Sequence, residues 1–191
     1  MTQIDLVGIL QRFARDHKKR VFSLREIATL AGVSRAAAGM TLIRAEKRGV
    51  VWRVLNLWIN RLDPPELLEI ALSLPSPSYL SFEGALYRHG LLSQSPRGAL
   101  TLATTGRPRR IETPGGILQF IHLKNPLFFG FNAERIAFPE KAWLDLLYIR
   151  GRRGRKNPIT ETVYLDRLNK ARLASFERRF PAWVSTLRRS L

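Results

Sequence analysis

Residues 23–49, SLREIATLAGVSRAAAGMTLIRAEKRG, restrict the fold of this chain more than any other stretch. Ser23 followed three residues later by Glu26 is a capping-box pattern, in which hydroxyl and carboxylate satisfy the first free amides of a helix. Leu24, Ile27, Ala28 and Ala31 then recur at helical spacing. Gly32 supplies the break and Val33 packs into the corner. Ser34 caps a second helix, Arg35 to about Arg48, whose buried stripe is Ala38, Leu42 and Ala45. Gly49 ends it, and Val50-Val51-Trp52 turns at once to strand character. Two short helices across a tight turn, the second leading into a strand, form the winged version of the DNA-reading helix-turn-helix. Helix pairs that bind only protein share the pattern, so the charge must discriminate.

The chain has 191 residues, with 32 Lys/Arg against 15 Asp/Glu, a formal charge of +17 and a pI of about 11.4. A chain this basic usually meets a polyanion, either nucleic acid or an anionic membrane; the alternative is a merely basic surface. The charge is not uniform. Residues 1–62 hold 12 Lys/Arg against 4 Asp/Glu, residues 63–145 hold 8 against 8, and residues 146–191 hold 12 against 3. Two basic ends around a neutral middle predict two contacts with phosphate backbone, or one long contact. There is no cysteine, which excludes disulfides and thiolate metal sites and suits a reducing compartment. No apolar run approaches a membrane span and the N-terminus lacks a signal-peptide core, so the expected location is cytoplasmic, without a membrane partner.

Taken in order, residues 4–17 predict a first helix with Ile4, Val7, Leu10 (with Ile9) and Phe13 or Ala14 on one face. Lys18-Lys19-Arg20 closes it, either as a solvated helix end or as a phosphate contact. Phe22 is placed to staple the second helix. On the third helix, the face opposite Ala38 and Leu42 carries Arg35, Ala36, Gly39, Met40 and Ile43. That face is poor in hydrogen-bond donors, and direct base readout needs donors. Ser34 and Arg35 are the two residues suited to touch bases. Arg25, Arg44, Lys47, Arg48 and Arg53 are placed to hold phosphates. Good non-specific affinity is therefore expected, with specificity from few base contacts, DNA shape or several protein copies on repeated sites. Residues 50–60 predict two short strands around Leu55-Asn56, a wing with little basic character. Trp52 and Trp58 are read as core or interface residues rather than base-stacking platforms.

Asp63-Pro64-Pro65 marks a boundary, followed by a helix over 66–74 and the linker Pro75-Ser76-Pro77-Ser78. The expected organisation is a winged helix-turn-helix over 1–62, a connecting helix and linker over 63–78, and a small α+β domain with basic C-terminal helices over 79–191. In that second domain, Ser81 is expected to cap a helix that Gly90 ends. Residues 101–105, 109–113 and 117–123 are β-prone. A strong helix over 140–149 is apolar on nearly every side and so mostly buried.

Four segments of this domain, in this order, carry a resemblance: YLSFEGALYRHGLL from Tyr79, Thr104-Thr105 before a hairpin, FGF at Phe129 to Phe131, and IAFPEKAWLDLLY from Ile136 to Tyr148. Residues 79–149 resemble the AbiEi-type antitoxin family, whereas the helix-turn-helix matches it only in kind. The resemblance implies a bacterial DNA-binding regulator that represses its own operon. It also implies an antitoxic C-terminal domain that opposes a nucleotidyltransferase-like toxin without a stable complex. Trp143, where a smaller aliphatic is usual, and the donor-poor recognition helix depart from the family pattern.

Arg150, Arg152, Arg153, Arg155 and Lys156 put five cations in seven residues with Gly151 and Gly154. They are expected to form a surface loop, either solubilising or a second basic clamp on nucleic acid. Helices are expected over 161–173 and 176–187, with Leu165, Leu168 and Leu173 facing in. No catalytic or metal constellation emerges. His17, His89 and His122 lack ligand spacing, and Glu140, Lys141 and Asp145 share one helix rather than the adjacent strands of a metal nuclease. Glu140 reads as a first-turn acid and Lys141–Asp145 as an i,i+4 pair. No enzyme activity and no cofactor are expected. The expected partner is double-stranded DNA at the protein's own promoter. The alternatives are an RNA-binding protein, or a protein-interaction module using exposed Met40 and Ile43.

Overall fold

The computed structural model describes residues 5–94, 98–152 and 163–190. The chain forms two compact units, residues 1–74 and 75–191. Each has α+β architecture: a winged helix-turn-helix first, then a mixed sheet with C-terminal helices. Among the described residues no helix is long and apolar enough to cross a membrane.

The first unit begins with helix α1, Leu6–His17, started by the Asp5 carboxylate, which accepts the Gly8 amide at 2.9 Å. Strand β1, Val21–Ser23, leads into helix α2, Leu24–Ala31. The capping box forms: the Ser23 amide donates to Glu26 at 2.8 Å, and the Glu26 amide to the Ser23 hydroxyl at 3.2 Å. Gly32 ends α2 with φ +63°, a left-handed turn that favours glycine. Helix α3, Arg35–Lys47, follows, then the hairpin of β2, Val51–Val54, and β3, Leu57–Asn60. The hairpin turns at Leu55-Asn56, and β1 joins it to give the antiparallel order β1-β3-β2. Leu10, Phe22, Ile27, Ala38, Leu42, Val51 and Trp58 form the shared core.

Helix α4, Leu67–Ser73, lies within this first unit. Arg20 accounts for its position: the guanidinium donates to Asp63 at 2.8 Å and to Glu69 at 3.3 Å, while its amide donates to Glu69 at 3.2 Å. Ile70 and Ala71 are buried beneath these polar ties.

The second unit opens with β4, Ser78–Leu80, and helix α5, Phe82–Arg88. Strands β5, Ala99–Thr104, β6, Arg109–Thr113, and β7, Gly116–His122, complete a sheet of order β4-β5-β7-β6. β5 and β7 run parallel; the other neighbours are antiparallel. Helix α6, Pro139–Arg152, is the spine of the unit, with every residue from Glu140 to Ile149 buried. Helices α5, α7, Lys170–Glu177, and α8, Ala182–Arg189, pack against it.

Three expectations are corrected here. Residues 161 and 162 lie outside the described residues; from 163 onward the helices expected over 161–173 and 176–187 give way to the shorter, later α7 and α8. The Asn169 side-chain carbonyl accepts the Arg172 amide at 2.9 Å and so sets the start of α7, while Pro181 forces a new start before α8. Leu168 is buried, but Leu165 is 39% exposed rather than inward. Ser81 occupies the N-cap of α5 without capping it: its hydroxyl is turned toward Asp145, to which it donates at 2.7 Å.

Candidate nucleic-acid interface

Helix α3 is held by its small residues. Ala38 and Leu42 are fully buried against α2 and the hairpin, so the 3.6-residue period turns residues 36, 40, 43 and 47 outward. Met40 is 54% and Ile43 42% exposed, so neither is absorbed into the core. Around them Arg25, Ser34, Arg35, Arg44, Lys47 and Arg48 are all exposed. Among the described residues none of the five cations has an acidic partner. The Ser34 hydroxyl accepts the Ala37 amide at 3.2 Å, which leaves its own proton free to donate outward. The outward face thus joins positive charge, two apolar side chains and the amino end of a helix dipole.

The wing behaves differently. Arg53 is exposed, but it folds back on its own hairpin. Its Nε donates to the Leu55 carbonyl at 3.1 Å and its guanidinium lies 5.6 Å from the Trp58 ring centre. Its amide donates to Glu46 at 3.2 Å, tying the end of α3 to β2. Arg61 lies over Trp52 at 4.9 Å. Trp58 is a core residue and Trp52 a half-buried one lidded by a cation. The basic run after α1 is largely committed as well: Lys19 pairs with Glu26, and Arg20 with Asp63 and Glu69. Burial pushes the Glu26 carboxyl up, but its bonds from Lys19 and Ser23 outweigh this and hold it below the usual range.

In the second unit, Arg150 and Arg152 sit in the last turn of α6 rather than in a loop. Gly151 lets α6 and α8 close together at this turn, since a Cβ there would collide with the Trp183 ring. Arg150 pairs with Glu83, and Arg152 lies 5.4 Å from the Tyr148 ring centre. Arg153, Arg155 and Lys156 lie outside the described residues. Several other cations also hold the fold. Arg167 donates to the Gly90 carbonyl, Arg172 lies 3.5 Å from Glu140, Arg179 sits 3.7 Å from the Phe129 ring centre, and Arg188 clasps Glu177. Lys170, Arg178 and Arg189 are exposed.

Sequence reading missed one polar cluster. Lys141 and Asp145 do pair, but at zero exposure. Asp145 also accepts from the Tyr79 hydroxyl at 2.9 Å and from Ser81, and Lys141 donates to Tyr79 at 2.8 Å. The rings of Phe129 and Phe180 lie 5.0 Å from the Lys141 ammonium. Burial pushes the Asp145 carboxyl up and the Lys141 ammonium down, each opposed by the other. Burial, reinforced by Asp145, pushes the Tyr79 hydroxyl strongly up. Sealed from solvent, this cluster can order the unit but cannot meet a substrate. Its one sequence signal was a helix apolar on every side that still carried a lysine and an aspartate. Glu140 is in the first turn as expected, but it is buried and accepts the Asn169 amide at 2.7 Å, anchoring α7. Among the described residues no cluster of His, Asp and Glu could hold a metal ion.

A helix-turn-helix with a hairpin wing, followed by a mixed four-stranded sheet and C-terminal helices, defines a winged-helix protein of α+β architecture. Among solved structures, the chain is similar in fold to the RV2827C protein from Mycobacterium tuberculosis, a crystal structure. The TM-score is 0.55 at 15% sequence identity, covering 94% of this chain and 74% of that one. No protein-family model matches the chain, and no curated protein does.

Proposed function

We propose that this protein is a double-stranded-DNA-binding repressor of its own operon, and an antitoxin that opposes a nucleotidyltransferase-like toxin. One observation carries the DNA reading: the outward face of α3 holds Arg35, Arg44, Lys47 and Arg48 exposed and without acidic partners among the described residues, around Met40 and Ile43. Cations free of partners can release counterions from DNA, whereas cations already paired gain little. Arg35 and Ser34, at the helix start, approach the base edges. Arg25, Arg44, Lys47 and Arg48 grip phosphate, and Met40 and Ile43 touch thymine methyls. The antitoxin reading rests on the AbiEi-type segments between Tyr79 and Tyr148, which imply opposition to the toxin without a stable complex.

The test is a salt series of binding to the DNA upstream of the protein's own gene, against scrambled duplex of equal length. Preference for the upstream fragment by about two orders of magnitude or more at moderate salt supports the repressor. Equal binding that weakens in parallel with salt removes it. The exposure of Met40 and Ile43 favours one rival, docking of a protein partner on α3, which a complex that survives high salt would reveal. Preference for structured RNA over duplex would identify the other.

A further inference from the structure

We infer that the second unit carries a groove for a small organic phosphate of mononucleotide size. The groove has a volume of about 820 Å3 and opens where the parallel strands β5 and β7 end, beside the last turn of α6. The carboxyl ends of parallel strands are where open sheets leave room for ligands. The inference stands on this geometry alone and does not depend on DNA binding by the first unit.

The lining has two chemistries. Half-buried Ile121, backed by the buried Phe120 and Ile149, gives the apolar side, while Arg107 and Arg152 offer guanidinium groups; both arginines are exposed. No residue lining the groove among those described is acidic. His122 sits at the end of β7, its Nδ1 3.0 Å from the Gly106 carbonyl. A carbonyl only accepts, so Nδ1 carries a proton and Nε2 remains for a ligand. Next to the groove, the Arg109 guanidinium lies 4.7 Å from the Phe120 ring centre, and its Nη2 is buried without a hydrogen-bond partner among the described residues.

Five other arginines of this unit are already engaged. Arg150, Arg172 and Arg188 have carboxylate partners, and Arg167 and Arg179 bind backbone carbonyls. Arg107 and Arg152, by contrast, face the groove with no carboxylate among the described residues to neutralise them. The volume falls within the ~300–1,000 Å3 of small-ligand sites and exceeds the need of a bare phosphate. The apolar lining would be idle against inorganic phosphate or a sugar–phosphate backbone but would suit a nucleobase. Two arginines then suit the phosphates, which guanidinium groups bind in bidentate fashion.

The test is calorimetric titration of the full chain with ATP, and in parallel with inorganic triphosphate, near physiological salt. The expected result is saturable binding of one ATP, at least about tenfold tighter than triphosphate. Arg107→Ala/Arg152→Ala and, separately, Gln119→Glu, which places a negative charge in the lining, should each weaken ATP binding by about tenfold or more. Lys170→Ala/Arg178→Ala, which removes the same charge elsewhere in the unit, should leave it unchanged. Four results would each overturn the inference: no saturable binding, triphosphate binding as tightly as ATP, equal loss in the Lys170/Arg178 variant, or stoichiometric displacement of ATP by duplex DNA.

Discussion

The Lys141–Asp145 pair has no exposed surface, so its two charges have only each other, Tyr79, Ser81 and aromatic rings to replace water. Removing one partner strands the other, and breaking such pairs costs about 3–5 kcal/mol. Lys141→Met and Asp145→Asn should each destabilise the second unit on that scale, while the double variant should lose clearly less than the sum. Urea denaturation of the three variants measures the coupling, and simple additivity would contradict it. Glu26 allows a pH test. Its carboxyl is held below its ordinary value in the folded chain, so its stabilising effect is present above the unfolded range and disappears as pH falls through the folded value. Glu26→Gln should destabilise α2 by about 1 kcal/mol at neutral pH and by less in acid, as thermal melts at the two pH values would record. The capping box was legible because both partners lie within one turn. The Tyr79–Asp145 bond was not, because it spans 66 residues and no local pattern encodes it.

At the scale of elements, the proposed DNA complex would divide the labour of α3 between an amino end near the bases and a carboxyl end of cations. Arg44→Ala, Lys47→Ala and Arg48→Ala together should weaken binding to every duplex. They should also flatten the plot of log affinity against log salt by about 0.9 for each phosphate no longer neutralised. Arg35→Ala should instead change which sequences are preferred, as a binding selection on randomised duplexes would show. An unchanged salt slope would remove the phosphate assignment. The helices and the hairpin of the first unit were readable from the sequence because Ser23, Gly32, Ser34 and Gly49 punctuate them. The C-terminal helices were misplaced because the long basic, leucine-bearing stretch reads as continuous helix. The actual start of α7 depends on Asn169 and on Glu140, 29 residues upstream.

For the whole molecule, the count of positive charges overstates the charge on offer. Arg20, Arg53, Arg61, Arg150, Arg167, Arg172, Arg179 and Arg188 are spent on carboxylates, carbonyls and rings. Composition led to the expectation of a polyanion partner but could not say which cations would remain for it. That required knowing which acids fold back to meet them. The groove in the second unit was invisible for a related reason, since Arg107, His122 and Arg152 are brought together only by the ends of two parallel strands and a helix.

The order β4-β5-β7-β6 also sets a sequence of events in time. β6 and β7 meet across the two-residue turn Pro114-Gly115 and can pair as soon as they exist, whereas the parallel pairing of β5 with β7 must span the whole of β6. Local hairpins close in microseconds, and non-local pairing is slower because the intervening chain must first be ordered. The hairpin is therefore the early step and its docking on β5 the late one. Gly116 leaves the turn with φ +134°, a conformation a side chain resists. Gly116→Ala should thus slow refolding of the second unit more than it speeds unfolding, a difference that stopped-flow measurement of the two arms would resolve.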